Sequence, residues 1–229
     1  MEGKFIVLDG GDGAGKKTQL DLLKARLETD GYTVHTADFP QYGTWSAKFV
    51  EKYLNGEFGP LDTMGPKKSS LFYALDRYAA SFQIKEWLES GHIVLSNRYV
   101  SANKGHQLGK IINKDEMGSF LNWLNETEYE TLELPVPDLT LFLHMRPDIG
   151  QRLVDAKGAR DYVGGEAKRD LHEADLDHLV NAERAFLYCL ENDEVENWDR
   201  IVCYNGNEPL SRPEIHQLVY EKVSRLLVD

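Results

Sequence analysis

The sequence predicts an α/β fold of three layers, in which a five-stranded parallel sheet is flanked by helices. Short apolar runs alternate along the chain with longer amphipathic stretches. The runs are rich in valine, isoleucine, leucine and phenylalanine and lack strict alternation with polar residues, as is typical of buried parallel strands. They lie at residues 4–9, 32–37, 92–97, 139–145 and 200–204. Because strands that alternate with helices form parallel sheets covered on both faces, this order indicates the architecture.

Apolar residues at helical spacing fill the stretches between the runs, and we expect each stripe to pack in the core. One stripe follows the first run, and a second occupies residues 71–82. Their members are Leu20, Leu23 and Leu27, then Leu71, Leu75, Tyr78 and Phe82. Residues 106–137 are predicted to form an insertion between strands, with helical character around residues 115–124. The last helix begins at a capping box, Ser-Arg-Pro-Glu at residues 211–214.

The composition is that of a globular protein, with 229 residues, 41% hydrophobic and 28% charged. We expect residues 1–229 to form a single domain with its own core. The net charge of −12 argues against nucleic acid as the main partner. Two cysteines, Cys189 and Cys203, predict small core residues in a reducing compartment. Since no apolar run has transmembrane length and no cleavable leader is recognisable, we expect a cytoplasmic protein without a membrane partner.

A glycine-rich turn joins the first apolar run to the first helix, in the stretch FIVLDGGDGAGKKTQL at residues 5–20. Gly10, Gly15 and Lys16 fit the pattern G-x-x-x-x-G-K of a phosphate-binding loop, or P-loop. Backbone N–H groups of such a loop can surround phosphate oxygens. The following helix adds the positive end of its dipole, and the lysine adds a full charge. The pattern therefore predicts a P-loop NTPase fold with a phosphate site at this turn.

The segment at residues 155–175 is densely charged, contains three glycines and has few apolar residues. Such a segment is most often a solvated surface loop. In a chain with a P-loop, we favour a lid that closes over the transferring phosphates. Arg160 and Arg169 would supply planar donors that match phosphate oxygens.

Three further motifs follow the P-loop in a fixed order. They are Asp-Phe-Pro-Gln-Tyr at residues 38–42, Leu-Phe-Tyr-Ala-Leu-Asp-Arg at 71–77, and Asn-Arg-Tyr-Val-Ser-Ala-Asn-Lys-Gly-His-Gln at 97–107. In this order the chain resembles thymidylate kinases, over residues 3 to about 190. The resemblance implies transfer of the γ-phosphoryl group of ATP to dTMP, giving dTDP and ADP, with Mg²⁺ as cofactor.

The resemblance also implies roles for individual residues. Lys16, Arg98, Arg160 and Arg169 would act on the transferring phosphates, and Arg77 would help Arg98 to hold the acceptor phosphate. Phe72 would stack on the thymine and Asn103 would read its edge, since an amide can both donate and accept. The ATP site would comprise Gly10, Asp12, Gly13, Ala14, Gly15, Lys16, Lys17 and Thr18. The dTMP site would comprise Asp12, Tyr42, Phe72, Arg77, Arg98, Asn103, His106 and Gln107.

Four departures from the family pattern concern charge and metal. Lys17 stands where a metal-binding Ser or Thr is usual, and Asn97 stands where Asp is usual, so both changes weaken the metal site on the donor side. The candidate metal ligand is Asp12. We hypothesise that Lys17 itself supplies positive charge near the phosphates. Gly13 stands where some members carry a catalytic arginine. The compensating positive charge is therefore expected from the lid. Gln41 replaces a common arginine near the acceptor.

Alternative functions remain open at this point. His106 replaces an aromatic residue that crowds the sugar 2′ position in many members, so dUMP or UMP are alternative acceptors. Lys17 and Asn97 motivate a nucleotide-binding protein with little turnover. A nucleotide-driven switch or motor has no separate partner-binding module to support it. The family resemblance implies a homodimer, for which the helix at residues 71–82 is a candidate unless its stripe packs on the sheet.

Overall fold

The computed structural model describes residues 2–155 and 176–228 and contains a five-stranded parallel sheet of order β2-β3-β1-β4-β5. The predicted fold class is confirmed. A short antiparallel hairpin after the sheet was not expected from the sequence. The strands are β1 (Lys4–Asp9), β2 (Val34–Asp38), β3 (Ile93–Asn97), β4 (Leu139–His144), β5 (Trp198–Val202), β6 (Tyr204–Asn205) and β7 (Glu208–Pro209).

Helices connect the strands and cover both faces of the sheet. They are α1 (Lys16–Thr29), α2 (Lys48–Leu54), α3 (Leu61–Met64), α4 (Pro66–Glu89), α5 (Val100–His106), α6 (Lys114–Asn125), α7 (Pro147–Asp155), α8 (Leu176–Asn192) and α9 (Arg212–Val228). A 3₁₀ turn (Leu108–Lys110) follows α5, and a π-helical turn (Glu126–Thr131) continues α6. The predicted capping box forms at α9, where the backbone N–H of Ser211 donates to Glu214 and that of Glu214 to the Ser211 hydroxyl.

Two apolar layers form the core, one on each face of the sheet. The layer that includes Leu20, Leu23 and Leu27 of α1 packs with residues of α9. The opposite layer combines α5, α6 and α8 with the other face of β1 and β3. Cys189 and Cys203 are buried free thiols, and burial raises the pKa of both, that of Cys203 to about 12. The prediction of core cysteines is confirmed.

The stripe on α4 departs from the prediction of core packing. Leu71 is 41% exposed, Leu75 49%, Tyr78 40% and Phe82 62%. The opposite side of the same helix carries the buried residues Ala74, Arg77, Ser81 and Ile84, which face the protein interior. The sheet therefore does not account for this stripe, because α4 uses another face for its packing. Among the described residues, no helix is both long and apolar enough to cross a membrane.

The register of the sheet brings polar strand ends to one edge. Leu8 of β1 and Asp38 of β2 both pair with Asn97 of β3. Asp9 and Arg98 are the next residues along β1 and after β3, so both lie at this edge. Ligands of open α/β sheets bind at the carboxyl ends of the strands.

Candidate functional site

The P-loop joins β1 to α1 as the spacing predicts. The loop occupies residues 10–15, and Gly15 caps α1 with a φ of 82°, in the left-handed region that favours glycine. Ala14 is buried, and Thr18 lies in the first turn of α1. Since the first turn of an α-helix leaves its N–H groups without intrahelical partners, the loop carries both donors and the positive end of a helix dipole.

The charge of Lys16 lies over this loop. Its ammonium group donates to the carbonyl oxygens of Gly10 at 2.8 Å and Gly11 at 3.0 Å. It also lies 3.9 Å from the carboxylate of Asp12. These neutral carbonyl partners hold the cation next to the loop, where a phosphate chain could displace them.

Gly13 allows a close approach between the P-loop and α7. Its φ is 80°, and a Cβ atom there would lie 2.3 Å from the carbonyl oxygen of Gly150. The contact is reciprocal, since a Cβ atom on Gly150 would lie 2.3 Å from the carbonyl oxygen of Asp12. The absence of an arginine at position 13 thus has a steric reason, because the backbone of α7 fills the space.

Arg98 follows β3 in a conformation that non-glycine residues rarely adopt. Its φ is 64°, and neighbours hold the backbone in place: its N–H donates to Leu8 and its carbonyl accepts from the Ser96 hydroxyl. The guanidinium donates to Asp12 at 2.9 Å and contacts His106 at 3.4 Å. Strained backbone of this kind is concentrated at functional sites. The loop and Arg98 therefore adjoin, with Asp12 between Arg98 and Lys16.

Asp9 is a polar residue of the site that the sequence analysis did not single out. It is fully buried and accepts hydrogen bonds from the Gly10 N–H at 2.7 Å and the Ser101 hydroxyl at 2.6 Å. Burial raises its pKa, against the opposing charges of Arg98 and Lys16. Asp9 therefore links the P-loop to α5. The sequence did contain a signal for Asp9, because this acidic residue ends an apolar strand directly before the glycines of the P-loop.

A cavity of about 590 Å³ opens beside Arg98, at the ends of β2 and β3. Most residues predicted for the acceptor nucleotide line it. The lining residues are Asp12, Lys17, Asp38, Phe39, Pro40, Gln41, Tyr42, Thr44, Leu54, Tyr73, Asp76, Arg77, Asn97, Arg98, Ala102, Asn103, His106 and Gln107. Of the eight residues predicted for dTMP, Phe72 alone is not among them.

Phe72 lies instead in an aromatic cluster with α2. Its ring packs against Phe49 at 5.5 Å, Phe58 at 5.4 Å and Tyr53 at 6.0 Å between ring centroids. The neighbouring aromatic residue, Tyr73, lines the cavity. Residues four apart share a helix face, so Phe72 lies on the face of Asp76 and Tyr73 on that of Arg77, and both of these partners line the cavity. The packing of Phe72 against Phe49 and Phe58, rather than its place on the helix, keeps its ring out of the lining.

Arg77 is buried in a bidentate ion pair rather than extended towards Arg98. Its Nε and Nη2 atoms each lie 2.6 Å from the carboxylate oxygens of Glu128, and Nη1 donates to the carbonyl of Tyr99 at 3.1 Å. The exposed fraction is 1% for Arg77 and 0% for Glu128. Burial alone would lower the pKa of Arg77, but attraction to Glu128 outweighs it and raises the pKa.

Asn103 belongs to the same buried cluster. Its Nδ2 atom donates to Glu128 at 2.9 Å and to the carbonyl of Ser70 at 3.2 Å. Glu128 comes from the π-helical turn after α6, in the predicted insertion. Sequence reasoning missed it, because an isolated glutamate in the acidic run ETEYET is typical of a solvated face.

The loop after β2 forms a second wall of the cavity. Gln41 is held by the buried Asp76, which accepts from its backbone N–H at 2.8 Å and from its side-chain amide at 3.2 Å. Ser46 donates to the same carboxylate at 2.6 Å. Tyr42 lines the cavity and is 39% exposed. Gln41 therefore contributes uncharged hydrogen-bond donors to Asp76 at the position where an arginine would contribute a positive charge.

His106 and Gln107 close the cavity at the end of α5. The Nδ1 atom of His106 lies 3.2 Å from Nε2 of His178, and the two rings stack. Gln107 is 2% exposed, and its Oε1 atom accepts from the Ser69 hydroxyl at 2.7 Å. Both residues line the cavity, and their predicted contact with the acceptor nucleotide stays a prediction.

Lys17, Asp38 and Asn97 meet at the boundary between loop and cavity. Lys17 pairs with Asp21 on the surface of α1 at 2.6 Å. Asn97 donates through Nδ2 to Asp38 at 2.7 Å, while its buried Oδ1 atom accepts no hydrogen bond. Burial raises the pKa of Asp38, although Lys17 and Arg98 oppose the shift. The carboxylate of Asp38 at the end of β2 therefore lies beside the amide of Asn97 at the end of β3.

Arg160 and Arg169, with most of the predicted lid at residues 155–175, lie outside the described residues. Their predicted role as catalytic cations stays a prediction.

Comparisons with known proteins identify the family. A family model described as thymidylate kinase matches residues 8–187. The thymidylate kinase of Halothermothrix orenii is 30% identical over 230 residues, covering 100% of both chains. That of Mycobacterium tuberculosis is 30% identical over 174 residues, covering 76% of this chain and 79% of the relative.

The fold has a solved counterpart. The structure of thymidylate kinase from Candida albicans superimposes with a TM-score of 0.71 at 21% identity, covering 98% of this chain and 92% of that chain. This match supports the P-loop fold, and the sequence matches extend over most of the chain. The chain therefore belongs to the thymidylate kinase family of nucleotide-binding phosphotransferases.

Proposed function

We propose that the protein transfers the γ-phosphoryl group of ATP to dTMP, giving dTDP and ADP. The observation that carries the proposal is the adjacency of the P-loop and the Arg98 cavity at one sheet edge, in a member of this family. Asp12 of the P-loop accepts a hydrogen bond from Arg98. A nucleotide bound at the P-loop and a nucleotide bound in the cavity would therefore meet at this contact. The five strands between Lys4 and Val202 form one parallel sheet, and α9 packs on α1, which supports one kinase domain over residues 1–229.

Phosphoryl transfer requires little covalent chemistry from the protein, because positioning and charge neutralisation dominate. Lys16 and the loop amides would hold the phosphates of ATP. Arg98 would hold the acceptor phosphate, since its planar guanidinium matches phosphate oxygens. The ionic contact of Arg98 with Asp12 and the loop contacts of Lys16 would be exchanged for phosphate oxygens. Asp12 would then be available to the acceptor sugar or to the metal.

We assign the acceptor base to the end of the cavity that holds Arg77 and Asn103. Both contact Glu128, so they form one polar wall, and the structure supports a base-reading role for Arg77 in place of its predicted help to the phosphate. Tyr73 would stack on the base in place of Phe72. Tyr42, His106 and Gln107 would surround the sugar.

The donor set fits Mg²⁺. The carboxylates of Asp12 and Asp38 line the cavity near the P-loop, and the Oδ1 atom of Asn97 has no donor. Among the residues that the structure describes, no three or more His, Cys, Asp or Glu side chains form a group that could hold a metal ion by themselves. Mg²⁺ commonly takes one or two carboxylates and completes its shell with water and phosphate oxygens. When bound, it would neutralise phosphate charge, and Lys17 would add a further positive charge.

A panel of nucleoside monophosphates tests the proposal in an ADP-release assay with ATP and Mg²⁺. We expect dTMP to give the highest kcat/KM. Higher values with dUMP or UMP would favour the alternative acceptors that His106 left open. Binding of ATP and dTMP without turnover above background would reject a kinase and favour a nucleotide-binding protein.

We also propose a homodimer that buries the exposed stripe of α4. Four apolar side chains on one helix face, each 40% exposed or more, form a patch of the kind that marks an interface. Phe82→Glu should shift the sedimentation coefficient from dimer to monomer. Ile112→Glu is the matched control, because Ile112 is 71% exposed and does not belong to the α4 stripe. A wild type that sediments as a monomer would reject the proposal.

A further inference from the structure

The polar end of the acceptor cavity is built on one buried carboxylate. Glu128 is fully buried and contacts both Arg77 and Asn103, which are 1% and 2% exposed. Its Oε1 atom accepts from both residues, and its Oε2 atom accepts from Arg77 alone. An ionised carboxylate can only accept hydrogen bonds, so it dictates which atoms its neighbours turn towards it.

The amide of Asn103 has a single allowed orientation as a result. Its nitrogen faces two acceptors, Glu128 at 2.9 Å and the carbonyl of Ser70 at 3.2 Å. A rotation of the amide by half a turn would place its oxygen against these two oxygens and lose both hydrogen bonds. The Oδ1 atom of Asn103 is therefore the atom left to serve the cavity, and it requires a donor from the ligand.

The guanidinium of Arg77 presents the opposite polarity. Three of its five N–H groups are committed, two to Glu128 and one to the carbonyl of Tyr99. The bidentate pair fixes the plane of the group, and arginine has no acceptor. Whatever Arg77 offers the cavity is a donor.

We propose that Glu128 is a positioning residue that fixes this acceptor–donor order and so selects pyrimidines with a 4-carbonyl and an N3–H over those with a 4-amino group. The inference rests on the proposed function and deepens it. Thymine and uracil offer N3–H to Asn103 and O4 to Arg77. Cytosine presents a lone pair at N3 and N–H groups at C4, which mismatches both partners. A site built for one polarity discriminates strongly against the reverse, because buried groups are left unpaired.

The test uses Glu128→Gln, which keeps the shape but replaces one acceptor by a donor. We expect the ratio of kcat/KM for dTMP to that for dCMP to fall by at least about tenfold, because Asn103 can then turn its amide. Glu196→Gln is the matched control. Glu196 is also a buried carboxylate, paired with Lys104 and Tyr129, but it does not line the cavity. Its variant should lose stability and keep the ratio. An unchanged ratio in a folded Glu128→Gln would overturn the inference.

A second measurement requires neither catalysis nor a variant. Side-chain amide protons of Asn103 should exchange slowly with solvent in the ligand-free wild type, whereas those of the exposed Asn205 should exchange fast. Equal exchange rates at the two residues, measured by NMR, would overturn the inference even if Glu128→Gln fails to fold. Slow exchange in a wild type that does not phosphorylate dTMP would reject the proposed function while it supports the fixed amide.

Discussion

The P-loop and the acceptor cavity lie at the same sheet edge but are built differently. The loop is shaped by backbone: Gly13 packs directly on Gly150, and the side chain of Lys16 binds main-chain carbonyls. The wall of the cavity is shaped by side chains, with Glu128 holding Arg77 and Asn103. Substitutions that add side-chain atoms should therefore disturb the P-loop most. Substitutions that remove a polar partner should disturb the cavity wall most.

The largest effect on stability is expected from Arg77→Met. The change leaves the carboxylate of Glu128 buried and without its main partner, which costs about 3–5 kcal/mol of unfolding free energy. Urea denaturation measures the loss. Lys52→Met is the control, because Lys52 forms an exposed pair with Glu57 and should lose no more than about 1 kcal/mol. The double variant Arg77→Met, Glu128→Leu should recover much of the loss, and no recovery would contradict the ion-pair explanation.

The P-loop should respond first in catalysis, through Lys16. We expect Lys16→Met to lower kcat by about 10²–10³-fold, because the transition state loses a cation at the donor phosphates. Steady-state kinetics with dTMP and ATP measure the change. Lys24→Met on the same helix, where Lys24 pairs with Glu28 on the surface, should leave kcat within about twofold. Similar rates for the two variants would remove Lys16 from the mechanism.

A single added methyl group tests whether backbone packing shapes the P-loop. Gly13→Ala places a Cβ atom 2.3 Å from the Gly150 carbonyl, whereas Gly15→Ala meets nothing within 4 Å, and both glycines have a φ near 80°. Both variants bear the cost of a left-handed alanine, roughly 1–2 kcal/mol. Gly13→Ala should lose about 1–3 kcal/mol more from overpacking. Equal losses in urea denaturation would show that α7 yields to the methyl group.

The smallest effect concerns Asp9, which links the P-loop to α5 through Gly10 and Ser101. Burial raises its pKa above the ordinary value of 3.8, so the folded protein binds a proton more tightly than the unfolded chain. Stability therefore falls as the pH rises from about 4 through that raised pKa. Asp9→Asn should flatten this decline, while Asp38 keeps its own contribution. The measurement is the unfolding free energy of the wild type and of Asp9→Asn over this pH range. Parallel curves for the two proteins would exclude Asp9 as a source of the pH dependence.

The two halves also differ in how far their residues can be found from the sequence. The P-loop residues are contiguous, and a local spacing of glycine and lysine is enough to identify them. The acceptor wall joins residues far apart in the chain, and Glu128 has no local pattern that separates it from a surface glutamate. Arg77 and Asn103 are recognisable through a family resemblance, but their shared partner is not.

Two differences between expectation and structure have simple physical causes. Phe72 packs against Phe49 and Phe58, and spacing on α4 does not reveal this, because Phe72 and Tyr73 each lie four residues before a residue that lines the cavity. The stripe of α4 has the correct helical period, but periodicity alone does not state whether an apolar face meets the core or another surface. The fold class and the position of the site depended on alternation of elements, which the sequence displays plainly.

The contact between Gly13 and Gly150 restricts how this protein can diverge. An arginine at position 13 would place its Cβ atom against the backbone of Gly150, so this one loop position can accept a side chain only if α7 moves. While α7 keeps this place, positive charge for the transferring group can be added only at positions other than 13.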